Sequence, residues 1–143
     1  MTTWLALDIG DRRIGLATGN DQAWLARPCS ILTRRSKRED FDAIARIAEE
    51  LGADRLLVGL PYNMDGSEGA QAKKVRKYTS KLQSQIALPV TYRDERLSSF
   101  EADQIIRQSG KRRPSKHNDD IAAATFLQTY LDHLRQGQSL PTD

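Results

Sequence analysis

Asp8, Glu95 and the adjacent pair Asp119/Asp120 are the residues whose type and placement suggest chemistry. Asp8 closes the apolar run Trp4-Leu5-Ala6-Leu7 and is followed by Ile9-Gly10. Glu95 closes a second strand-like run, and Asp119 and Asp120 open the last helical pattern. A carboxylate at the end of a buried strand is costly to desolvate unless something compensates it. A hard divalent cation bound through oxygen does so where several carboxylates converge. Mg²⁺ or Mn²⁺ suits that donor set, and the chemistry it supports is phosphodiester hydrolysis.

Each acid also has an ordinary reading. Asp8 can cap the turn that follows it. Strand alternation puts Glu95 on the face of Arg93 and Asp94 on the face of Tyr92, and periodicity alone does not choose between the two acids. An ion pair with Arg96 would account for either. On a helical wheel, Asp119 and Asp120 lie about equally far from the stripe Phe126, Leu127, Tyr130 and Leu134. Acids in a first helical turn also complement the helix dipole. The stretch from Gly10 to Gly15 has the glycine spacing of a phosphate-binding loop, but Leu16-Ala17 replace the Lys-Ser/Thr ending and a strand follows. Nucleotide binding is rejected on that ground.

The basic residues cluster: Arg34, Arg35, Lys37 and Arg38; Lys73, Lys74, Arg76, Lys77 and Lys81; and Arg107, Lys111, Arg112, Arg113 and Lys116. Net charge is only +3, so distribution says more than total. Such clusters are the footprint of a phosphate backbone, or else solvated faces. Arg12, Arg13, Lys73, Arg76, Arg112 and Arg113 are the candidate nucleic-acid contacts. His117, just before the acidic pair, is read as a loop residue.

The elements that must position these side chains follow from pattern. Strands are expected at 3–9, 13–18, 28–33, 55–60 and 89–93. Ser36-Lys37-Arg38-Glu39 is a capping box opening a helix on Phe41, Ile44, Ile47, Ala48 and Leu51, and Gly52 ends it. After a loop at 61–69, with Ser67 as a candidate N-cap and a helix N-terminus suited to an anion, a second helix carries Ala72, Val75, Thr79, Leu82 and Ile86. A further capping box at Ser98 starts a helix ending near Gly110, a basic loop spans 111–118, and the last helix covers 119–134. An antiparallel opening followed by βαβ crossovers predicts an α/β fold, a mixed central sheet with helices on both faces.

The chain has 143 residues, 38% hydrophobic and 29% charged, which suits one domain over 1–136 with a flexible tail at 137–143. No apolar run approaches the ~20 residues of a membrane helix. Cys29 is the single cysteine, so neither an internal disulfide nor a CxxC zinc site exists. No signal peptide is read at the N-terminus, and the expected location is cytoplasmic.

Several segments resemble one family in order along nearly the whole chain, about 3–134. They are Asp8-Ile9-Gly10 with Arg13-Ile14-Gly15-Leu16-Ala17; Val58-Gly59-Leu60-Pro61 with Met64-Asp65-Gly66-Ser67-Glu68-Gly69; Asp94-Glu95-Arg96-Leu97-Ser98; and Asp119 with Ala122-Ala123 and Leu127-Gln128-Thr129-Tyr130-Leu131. Together they resemble the YqgF (RuvX) family of pre-16S rRNA nucleases, also described as Holliday-junction resolvase-like. Ser99 and Phe100 depart from the family pattern at a helix start and touch none of the acids. The resemblance implies a ribonuclease H-like fold with Asp8, Glu95 and Asp119 as catalytic metal ligands and Asp120 as a candidate fourth. It implies a hydrolase that trims the 5′ end of precursor rRNA in ribosome biogenesis, with pre-ribosomal particles as candidate partners and a monomer or homodimer as its state. A resolvase acting on branched DNA would use the same acids but should dimerise. A non-catalytic RNA-binding or transcription-associated module would need only the basic clusters. The actin-like ATPase class shares the Asp-x-Gly opening but needs two large lobes, for which the chain is too short.

Overall fold

The computed structural model describes residues 1–94 and 119–137, with only the backbone of Asp119. The expected helix after Ser98, the basic loop with Arg112, Arg113 and His117, Glu95 itself and the tail beyond 137 lie outside the described residues.

Five strands form one sheet in the order β3-β2-β1-β4-β5. They are β1 (Thr3–Ile9), β2 (Arg13–Asn20), β3 (Arg27–Thr33), β4 (Arg55–Leu60) and β5 (Val90–Asp94). β1 is central, antiparallel to β2 and parallel to β4, and β4 is parallel to β5. The apolar runs of β1 and β4 are buried on both faces, as continuous rather than alternating hydrophobicity requires. β2 extends past its expected end because Gly19 and Asn20 still pair with Trp4 and Thr3.

The strand period of two divides β1 between two cores. Leu5, Leu7 and Ile9 face one side, where α1 (Lys37–Leu51) and α2 (Ala70–Gln85) supply Phe41, Ile44, Val75 and Leu82. Trp4 and Ala6 face the other, where α3 (Asp119–Arg135) supplies Phe126, Leu127 and Leu131. Helices therefore cover both faces of a mixed sheet, as expected. No helix among the described residues is long and apolar enough to cross a membrane.

α1 starts where the capping box predicts. The Ser36 hydroxyl accepts from the Glu39 N–H at 3.1 Å, and Gly52 ends the helix at φ +66°. α2 starts differently. Its N-cap is Gly69, with no side-chain cap, and not Ser67. Ser67 is held two residues earlier by Asp65, whose Oδ1 accepts from both its N–H and its hydroxyl at 2.9 and 2.6 Å. Asx chemistry within the loop has outcompeted helix capping. Gly69 stays without a side chain because a Cβ there would lie 2.7 Å from the Asn63 amide oxygen.

Candidate functional site

Asp8 sits at the carboxyl end of the central strand, paired with Gly15 of β2. It shares the parity of Trp4 and Ala6, so it belongs to the face covered by α3. It is half-buried.

Two glycines let α3 come close to the sheet. A Cβ at Gly59 would lie 2.9 Å from the Phe126 ring, and one at Gly19 would lie 2.9 Å from Leu131. Gly59 is near the carboxyl end of β4, while Gly19 pairs with Trp4 near the opposite edge. α3 therefore runs antiparallel to β1. At 1.5 Å per residue its first turn projects roughly 9 Å beyond Phe126, toward the edge that carries Asp8. Gln128 fixes the helix along its axis. Its amide donates to the Trp24 carbonyl at 2.9 Å and accepts from the Ala26 N–H at 2.8 Å.

That geometry brings the start of α3, with Asp119 and Asp120, to the edge of Asp8. Asp120 is half-buried, and its Oδ1 accepts from the Ile121 N–H at 2.9 Å. β5 ends at Asp94, in register with Leu60, at the same edge. The structure also bears on the choice between Asp94 and Glu95. Arg93 reaches His133 of α3 at 3.2 Å, whereas Tyr92 packs against the α1–α2 core. Asp94 shares the face of Tyr92 and thus points away from the side of Asp8. Among the described residues no group of three Asp, Glu, His or Cys side chains is placed to hold a metal. Glu95 and the Asp119 side chain fall outside that set. Asp8 and Asp120 supply hard carboxylate oxygens, the donor chemistry that suits Mg²⁺ or Mn²⁺.

The basic candidates divide. Arg12 is exposed in the β1–β2 turn and Lys73 is exposed on α2. Arg13 is half-buried, and its carbonyl accepts from the Gly10 N–H at 2.8 Å to close that turn. Arg76 is already engaged by Glu68, and its guanidinium lies 4.5 Å from the Tyr92 ring centroid. It brackets the loop before α2 to β5, a contact that charge patterning does not reveal.

Sequence reasoning missed a buried node on the other, α1–α2 side of the sheet. Asp40 is 3% exposed and accepts from the Arg35 N–H at 3.0 Å and the Tyr78 hydroxyl at 3.3 Å. Its other near partner is Arg34, at 3.8 Å. Arg34 also lies 4.4 Å from the Tyr78 ring centroid and donates to the Gly10 carbonyl at 2.7 Å, just past Asp8-Ile9. Burial foremost, and then the Asp40 charge, pushes the Tyr78 hydroxyl well above its ordinary range, so it stays a donor. Asp40→Ala strips Tyr78, Arg34 and an N–H of their acceptor and should cost about 2–3 kcal/mol. Urea unfolding with an unchanged m-value checks this; a loss no greater than that of the exposed Asp42→Ala would refute the node.

Comparison with known proteins agrees with this architecture. The family model described as "RuvX: Holliday junction resolvase" matches residues 2–133. A Synechococcus elongatus protein named "Putative pre-16S rRNA nuclease" is 42% identical over 135 residues, 92% of this chain and 90% of that one. An Anaeromyxobacter protein of the same name is 42% identical over 130 residues, 90% and 95% of the two chains. Among solved structures, T. thermophilus RuvC in complex with a Holliday junction substrate is similar with a TM-score of 0.66 at 14% identity, covering 99% of both chains. The Fowlpox virus resolvase matches with a TM-score of 0.57 at 13% identity, over 93% of this chain and 99% of that one. At that identity the two structures speak for the fold alone, which is ribonuclease H-like. With the family model spanning nearly its whole length and relatives at 42% identity over at least 90% of each chain, this chain belongs to the RuvX (YqgF) family.

Proposed function

We propose that this protein is a metal-dependent nuclease that hydrolyses phosphodiester bonds in precursor 16S rRNA, trimming its 5′ end in the cytoplasm during ribosome biogenesis. The observation that carries the reading is Asp8 at the carboxyl end of the central strand, on the face where the Asp119–Asp120 turn of α3 arrives. Asp8, Glu95 and Asp119 are the carboxylates proposed to hold Mg²⁺ or Mn²⁺, with Asp120 as a fourth. When bound, such an ion supplies an activated water and stabilises charge on the leaving oxygen. The protein itself contributes position: β1 is rigid and doubly covered, and α3 is pinned by Gln128. Arg12, Arg13, Lys73, Arg112 and Arg113 are proposed to hold the phosphate backbone. No side-chain nucleophile is required. The names of the relatives favour rRNA, and pre-ribosomal particles are the partners that this substrate entails.

The description of the family model favours a second reading, a resolvase of branched DNA. It requires a dimer, because two strands must be cut symmetrically. Purified protein incubated in parallel with precursor rRNA and a four-way DNA junction, with and without Mn²⁺, separates the two. Metal-dependent shortening of the RNA at its 5′ end is expected. Paired cuts in the junction with intact RNA would support the second reading, and no cleavage of either would sink both.

A further inference from the structure

The sheet face opposite Asp8 carries a feature that the proposed metal site does not use. A cleft of about 280 Å³ opens beside Ile9, where β1 meets the β3–α1 junction and α2. Arg34, Lys37, Lys74 and Lys77 line it, over a floor that includes Tyr78. Among the described residues Asp11 is the one acid on its wall, and the Gln71 amide donates to it at 3.3 Å. Asp40, beneath, is already occupied by Arg34, Arg35 and Tyr78.

Cations gathered without matching acids repel one another. Lys37 registers this. Its ammonium is held below the ordinary lysine range, first by the close approach of Lys81, then by desolvation and by the charges of Lys77 and Arg34. Lys37 is also the first residue of α1, where the helix dipole favours an anion and not a cation. Lys74, Lys77 and Lys81 recur on one face of α2, while Lys73 and Arg76 belong to the neighbouring face toward β5. Arg34 is held in place by Gly10, Asp40 and Tyr78, so it presents its charge without first losing side-chain freedom.

The cleft is smaller than the ~300–1,000 Å³ usual for a whole organic ligand. Tyr78 is buried and offers no open ring for a base to stack on. Phosphate is the group that fits this size and charge. We propose that this cleft is a second phosphate site, which takes backbone phosphates of the nucleic acid on the sheet face opposite Asp8. Because Asp8 and Ile9 are consecutive at the strand end, a strand crossing this edge reaches both faces. The contact is to backbone and hence independent of sequence. The assignment rests on the nuclease reading for its ligand, but it requires neither metal nor cleavage.

The test is binding of single-stranded RNA in EDTA across a range of salt. The double variant Lys74→Gln, Lys77→Gln should lower the log–log salt slope by about 1.4, at ~0.7 per phosphate contact, and weaken binding roughly tenfold at low salt. Arg46→Gln with Arg55→Gln removes the same charge away from the cleft, and its slope should stay near wild type. Equal slopes for all three proteins, or equal losses in the two variants, would overturn the proposal. Saturable binding of inorganic phosphate with unchanged RNA slopes would mark a small-anion site and overturn it too. A lowered slope beside an absence of RNA cleavage would refute the nuclease and leave the cleft standing.

Discussion

Asp8→Asn should reduce cleavage by roughly 10³-fold or more, about 4 kcal/mol of transition-state stabilisation, while the protein stays folded. Asparagine keeps the size of the side chain and the backbone pairing with Gly15. It removes the negative charge that a hard cation requires of its ligand. The strand should tolerate the change, because Asp8 is half-buried and not part of either apolar cluster. RNA binding without metal should persist, since Arg12, Lys73 and the Lys74–Lys77 cleft are untouched. Single-turnover cleavage with Mn²⁺, a melting curve and Mn²⁺ titration together make the outcome interpretable. The expected pattern is lost cleavage, weakened Mn²⁺ binding and a wild-type melt. Cleavage within tenfold of wild type would remove Asp8 from the metal site and with it the single observation on which the nuclease reading rests.

What could be read in the sequence is what local chemistry determines. β1 and β4 are apolar runs of strand length, and α1 carries its own start at Ser36 and stop at Gly52. Their order limits the topology, because βαβ crossovers and short hairpins leave few arrangements. What could not be read depends on residues far apart in the chain. Asp40 looks like an ordinary first-turn acid until Tyr78, on another helix, is found donating to it. Arg76 reads as a free cation until Glu68 and Tyr92 close around it. The acids Asp94 and Glu95 were indistinguishable because Tyr92 and Arg93 each suit either face of a strand. Only the packing of Tyr92 on the α1–α2 side and Arg93 on the α3 side assigns Asp94 to the face opposite Asp8. The basic clusters on α1 and α2 were visible separately, and their convergence on one cleft was not.

Gly59→Val should both destabilise the protein and disable the site, through one contact. Gly59 lies on β4 opposite Arg93 of β5, on the face of Leu57 and under α3. Its absent Cβ would stand 2.9 Å from the Phe126 ring. Phe126 is fully buried, so the ring cannot yield without disturbing its neighbours Ala6, Leu57 and Leu127. Overpacking of this kind costs about 1–3 kcal/mol, a drop in melting temperature of roughly 3–10 °C at this chain length. The strain is relieved most easily by lifting α3. Gln128 holds the middle of the helix to the β2–β3 connection, so the first turn moves most. That turn carries Asp119 and Asp120, and a displacement of about 1 Å at a reacting centre costs on the order of 10²-fold in rate. RNA binding in EDTA should be unchanged, because the basic cleft lies on the other face of the sheet. The decisive measurement is second-site rescue. Adding Phe126→Leu to Gly59→Val makes room for the new methyl groups and should recover most of the lost rate, although Phe126→Leu alone lowers stability. If the double variant is no more active than Gly59→Val, the close approach of α3 to β4 is not what sets the position of the acids at its start.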